Sequence, residues 1–125
     1  MTISLLMVLS IILAHWISDF VFQSDWMARN KSKSNRALLA HVLVYTASIA
    51  VILALLPSGL LTHGLYVYVR WVLINGALHF ATDYVTSRIT SRLYAENRIH
   101  DFFVVVGFDQ MMHYMLLLTT AALLA

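Results

Sequence analysis

Long apolar stretches separated by short polar connections dominate this chain. Four of them, at residues 3–23, 37–56, 65–86 and 102–124, are long enough to cross a hydrocarbon core, which takes about 20 mostly apolar residues as a helix. Inside lipid every backbone N–H and C=O must be paired within the protein, so such stretches read as helices and not as open strands. The pattern predicts an all-α, four-span transmembrane helical bundle, a single domain over residues 1–125.

The connections set an orientation. Arg29, Lys31, Lys33 and Arg36 lie between the first two spans, and Arg88, Arg92 and Arg98 between the last two. The middle connection, residues 57–64, carries no Lys or Arg. Because basic loops stay in the cytoplasm, both basic connections are expected there and both termini on the opposite side. Arg70, near the outer end of the third span, fits by snorkelling outward. The start Met1-Thr2-Ile3-Ser4 lacks the positive charge of a signal peptide, so the first stretch is expected to remain as a span.

Composition agrees: 61% of the residues are hydrophobic and 11% charged, too few polar groups to dress the surface of a soluble protein of 125 residues. Cysteine is absent, which excludes disulfides, thiolate metal sites and a cysteine nucleophile. The net charge of +2 comes with no aromatic–basic recognition pattern, so no nucleic-acid partner is expected.

The chemistry lies in polar residues within the apolar stretches. Residues four apart share a helix face. The first span carries His15, Asp19 and Gln23 at that spacing, the third Asn75, His79 and Asp83, and the fourth Asp109 and His113; the second carries His41 with Tyr45 a turn later. His15-Trp16-Ile17-Ser18-Asp19-Phe20 and His79-Phe80-Ala81-Thr82-Asp83-Tyr84 share one pattern, which suggests two parallel hairpin repeats. At about 1.5 Å rise per residue, His15, Asp19, His41, His79, Asp83, Asp109 and His113 fall in one slab toward the basic loops.

A lone His–Asp pair on a helix is ordinarily a structural hydrogen bond between spans. Three pairs and His41 at one depth favour a shared site. An aspartate near mid-membrane costs roughly 2.5–3.5 kcal/mol, and three need neutralising. Four imidazoles and three carboxylates form a ligand set for one or two divalent transition-metal ions, zinc first, with manganese, iron or nickel as alternatives. Gln110 and Asn75 are either donors that orient ligands or ordinary interhelical hydrogen bonds. His63 and His100 are expected in solvated loops.

The run His15-x-x-x-Asp19-Phe20-x-x-Gln23-x-x-Trp26-Met27-Ala28-x-x-Lys31, with His41, His79-x-x-x-Asp83 and Asp109-Gln110-x-x-His113, resembles domain-of-unknown-function family 3307 of small bacterial and phage membrane proteins. The resemblance implies a helical protein of the bacterial inner membrane and supplies no activity. The chain is also distantly similar to membrane-bound metal-dependent hydrolases that use His and Asp in helices. Three functions follow as expectations. The first is a metal-dependent hydrolase of a lipid or head-group ester, with membrane lipids as partners, the basic loops favouring an anionic lipid substrate, and the seven His/Asp residues as ligands or, for one carboxylate, general base. The second is a proton or cation pathway, which four spans would require a homo-oligomer to build. The third is a non-catalytic membrane adaptor or phage–host interaction protein.

Overall fold

The computed structural model describes residues 3–124; Met1 and Thr2, on which the reading of the chain's start partly rests, and Ala125 lie outside the described residues. The described chain is all-α with no strand: α1 Leu5–Trp16, running on as a π-helix Ile17–Val21, then α2 Asp25–Asn30, α3 Asn35–Leu55, a 3₁₀ turn Leu60–His63, α4 Leu65–Ala95 and α5 Ile99–Leu124. Serines set three of the helix starts. The hydroxyls of Ser4, Ser24 and Ser34 accept the backbone N–H groups of Met7, Met27 and Ala37, respectively, which would otherwise lack partners in a first turn. Asn97, at φ 56°, takes the left-handed conformation that closes α4, and the N–H groups of Asn97 and Arg98 return to Tyr94 and Leu93.

The predicted segment boundaries shift in two places. The third apolar stretch does not stop at residue 86: α4 continues to Ala95, so Arg88 and Arg92 are helical and only Arg98 of that basic group sits in the connection. His100 lies in the first turn of α5 and not in a loop, although it is exposed as expected. By length and apolarity, two helices qualify to cross a membrane, α3 and α5. The first stretch gives a 12-residue α-helix and five π-helical residues, and α4 is 31 residues long but carries Arg70, Asp83, Arg88 and Arg92.

The interior is divided lengthwise. Met7, Ile11 and Ala14 of α1, Ile49 and Leu53 of α3, Tyr68, Trp71 and Val72 of α4, and Leu117 and Ala121 of α5 form a continuous apolar cluster at one end. The buried histidines and aspartates occupy the other end. The outer surface is strongly apolar, with Leu5 73%, Leu43 60%, Leu55 80%, Leu73 62% and Leu123 76% exposed. Exposed large apolar side chains thus occur on every long helix.

Two contacts fix the helix packing. Gly76 of α4 lies against Thr46 of α3, so that a Cβ there would stand 2.6 Å from Thr46 Oγ1. Between α4 and α5, Asn75 Nδ2 donates to Thr120 Oγ1 at 2.9 Å and to the Trp71 carbonyl at 2.9 Å. Asn75 is therefore an interhelical tie, the second of the two roles expected for it. Thr120→Val should lower stability by about 1 kcal/mol in a detergent unfolding titration, the usual size of one such bond.

Candidate metal centre

The π-helix shapes the first part of the site. In it the Phe22 N–H reaches back five residues to the Ile17 carbonyl at 3.0 Å. The wider turn carries Asp19, which is 3% exposed, into the bundle beside His15. The matching pair His79 and Asp83 sits on ordinary α-helix in the middle of α4. The two similar hexapeptides thus present their His and Asp through different backbones.

Four residues from three parts of the chain converge. His41 Nε2 lies 3.2 Å from His79 Nε2, 3.1 Å from Asp19 Oδ1 and 3.3 Å from Asp83 Oδ2. His79 Nε2 lies 3.4 Å from Asp19 Oδ1 and 3.7 Å from Asp83 Oδ2. Ligands on a tetrahedron with metal bonds of about 2.0–2.1 Å stand about 3.3–3.4 Å apart. Five of the six spacings within the set of Asp19, His41, His79 and Asp83, all buried, run from 3.1 to 3.7 Å, near the edges of such a tetrahedron, and the set could hold a metal ion.

A second group shares one member with the first. Asp83 turns Oδ2 toward His41 and His79 and Oδ1 toward His113, whose Nε2 is 3.1 Å away. His113 Nε2 also stands 3.4 Å from Asp109 Oδ1. Asp83, Asp109 and His113 could hold a second ion, and Asp83 is placed as a carboxylate between the two. This second group has three protein ligands, the number found where a metal keeps a position open for water or substrate.

His15 stands beside both groups and belongs to neither. Its Nδ1 is 3.1 Å from the Tyr45 hydroxyl and its Nε2 is 3.1 Å from Gln110 Oε1, with Asp19 Oδ2 at 3.6 Å. The Gln110 amide fixes the tautomer: its Nε2 donates to Asp109 Oδ2 at 3.0 Å and to Asp19 Oδ2 at 3.4 Å, so its oxygen faces His15 and accepts the Nε2–H. Tyr45, His15 and Gln110 therefore form a chain that orients two carboxylates. Six of the seven predicted ligands fall into the two groups, and the seventh supports them.

The chain matches, over residues 5–125, the family model described as "Protein of unknown function (DUF3307)". It belongs to that family. No curated protein and no solved structure matches it.

In this DUF3307 chain two contributors to the site escaped the sequence pattern. Lys31, just past α2, extends its Nζ to within 2.9 Å of Asp83 Oδ2. Burial on its own would lower the pKa of the ammonium, but the Asp83 and Asp19 carboxylates outweigh it and hold the pKa above the usual lysine value. Lys31, the last residue of the family run, reads from sequence as a topological charge or a contact to an anionic head group, and the fold of residues 24–34 brings it onto Asp83. Thr86 donates to Asp109 Oδ1 at 2.5 Å and fixes that carboxylate; a threonine three residues past Asp83 carries no signal of its own. Several buried polar atoms have no hydrogen-bond partner, among them Asp19 Oδ1, Gln23 Oε1, His79 Nδ1 and Ser87 Oγ. A carboxylate oxygen left without a donor among imidazole nitrogens is the environment a cation completes.

A cavity of about 590 Å³ opens onto the aspartates. The aspartates Asp19, Asp83 and Asp109 line it, with Lys31 beside Asp83, and the exposed Arg29 and Lys33 line it toward the surface. Its volume is that of a small-molecule site.

Proposed function

We propose that this protein spans the bacterial inner membrane four times and works as a metal-dependent hydrolase on a lipid or head-group ester. The observation that carries the proposal is the close, buried cluster of Asp19, His41, His79 and Asp83, with Asp83 shared by a second, three-ligand group whose aspartates line a cavity. The exposed leucines of every long helix support a lipid-facing surface, including those of α1 and α4, which would complete the two spans of α3 and α5 to four. The basic residues of both inter-span connections then lie in the cytoplasm together with the surface side of the cavity. In that arrangement the similar hexapeptides lie on the first helix of each of two parallel hairpins.

Zinc is the first choice of ion for a set of imidazoles and carboxylates, with manganese, iron or nickel next. A cation bound there supplies Lewis acidity and a water of lowered pKa. The chain's own residues do the rest. Gln110 and Thr86 hold Asp109, His15 holds the Gln110 amide, and Lys31 places a positive charge beside Asp83 in the cavity lining. The closed bundle beneath excludes water from the far side.

A proton or cation pathway would need polar groups continuing toward the opposite membrane face. That half of the interior is instead the apolar cluster around Ile49, Leu53 and Trp71, which favours a site open on one side.

Two experiments test the reading. The chain is free of cysteine, so single substitutions report topology directly. Ser32→Cys is expected to react with a membrane-impermeant maleimide only after the cytoplasmic face is opened, and Thr62→Cys in intact spheroplasts; reaction of both from one side contradicts four spans. For activity, zinc- or manganese-loaded protein in mixed micelles should release head group or acid from a panel of lipid esters. Chelation should abolish that release, and hydrolysis indifferent to chelator contradicts the reading.

A further inference from the structure

The cavity above the aspartates has two kinds of wall. On one side, the last turn of α2 supplies Arg29, and the segment after it Lys31 and Lys33. On the other, one face of α4 supplies Ser87, Thr90 and Ser91. Between them, toward the bundle surface, lie Phe20, Phe102 and Val106. The hydroxyl face is not fully used within the protein. Thr90 donates to the Ser87 carbonyl, but Ser87 Oγ, on a residue only 8% exposed, has no partner. A buried hydroxyl without a partner is uncommon and marks a place where a ligand atom can complete it.

Charge decides the class of ligand. The three aspartates of the lining balance its three basic residues, so the bare cavity has no preference for an anion. Cations held by the His/Asp groups would leave the basic residues in excess, and the cavity would then attract a group with several negative oxygens. The phenylalanines and Val106 suit an apolar tail running from such a group toward the bundle surface.

We propose that this cavity is a phosphoryl subsite that takes a phosphate monoester, with Arg29 and Lys33 drawing in the phosphate, Ser87 donating a hydrogen bond to it, and its ester end directed at the Asp83–Asp109–His113 group. The proposal rests on the metal reading above, because without bound cations the aspartates would repel the phosphate.

The test is equilibrium binding to metal-loaded protein in phosphatidylcholine nanodiscs, read by the spin-label spectrum of labelled phosphatidic acid against labelled phosphatidylcholine. Glycerol 3-phosphate and inorganic phosphate serve as soluble competitors, and metal content is measured on the same samples. Phosphatidic acid should bind roughly tenfold or more tighter than phosphatidylcholine, as expected for charged hydrogen bonds. Arg29→Gln/Lys33→Gln should remove most of that preference. Ser87→Ala should weaken binding about three- to tenfold without loss of fold, because it deletes a hydroxyl that has no partner in the free protein. Displacement of the lipid by millimolar glycerol 3-phosphate would assign the subsite to soluble monoesters, and resistance to it would assign it to lipids; both support the phosphoryl subsite. Equal binding of the two lipids, or a preference that Ser87→Ala leaves unchanged, overturns it: attraction to the basic loops alone does not sense Ser87. A sample that holds metal and shows no phosphate preference overturns this inference alone. One that holds no metal overturns the reading beneath it as well.

Discussion

Asp83→Asn is expected to abolish metal binding at both groups, whereas Asp109→Asn should abolish it at one. Asp83 is the residue the two groups share, with Oδ2 3.3 Å from His41 Nε2 and Oδ1 3.1 Å from His113 Nε2. An amide presents one neutral oxygen where the carboxylate presents two charged ones, so neither side keeps its ligand set. Competition against a chromophoric chelator should show affinity falling by roughly 10²-fold or more, since loss of merely supporting contacts costs 10–100-fold. Asp109 serves only the second group, and its replacement leaves Asp19, His41, His79 and Asp83 intact. The same titration then finds one equivalent bound with little change in affinity. Asp83→Asn also removes the partner of Lys31. Lys31 is 21% exposed and can turn toward the cavity, so the fold should persist, as circular dichroism would show. Equal effects of the two substitutions would contradict the shared position of Asp83.

The second large effect concerns packing. Gly76→Ala adds a methyl group 2.6 Å from Thr46 Oγ1 and 3.2 Å from Thr46 Cγ2. Thr46 is β-branched and its hydroxyl donates to the Val42 carbonyl at 2.7 Å, so it has little freedom to turn away. Overpacking of this kind costs about 1–3 kcal/mol. The gain in helix propensity from Gly to Ala is about 1 kcal/mol at most. Net destabilisation is therefore expected in an unfolding titration. In a Thr46→Ala background the methyl has room, only the propensity gain remains, and Gly76→Ala should become neutral or stabilising. Additive effects of the two substitutions would rule out the close approach of α3 and α4 at this point.

Much of the site was legible because helical spacing and membrane depth act together. Spacing by four put His15 with Asp19, His79 with Asp83 and Asp109 with His113, and similar distances from the basic loops put the pairs at one level. What spacing could not give is which atoms face which. His15 looks equivalent to His79 in the repeated pattern, yet the π turn after it and the amide of Gln110 make it a support for Asp19. The contact of Lys31 with Asp83 and the place of Ser87 carry no signal in the sequence, because neither residue belongs to a polar stripe. One arrives through a loop fold, and the other is a small hydroxyl residue on a helix face whose depth depends on how far α4 extends. Apolarity fades near residue 86 and carries no sign of that extension. The helix persists to Ala95, and the left-handed backbone of Asn97 closes it.

The most direct test of the account is the metal content of the purified wild-type protein, measured by elemental mass spectrometry after loading with zinc, manganese, iron or nickel and removal of free ion. The account predicts about two equivalents per chain, held through imidazole and carboxylate ligands. A folded wild-type protein that holds no metal above background after loading with each ion would contradict it.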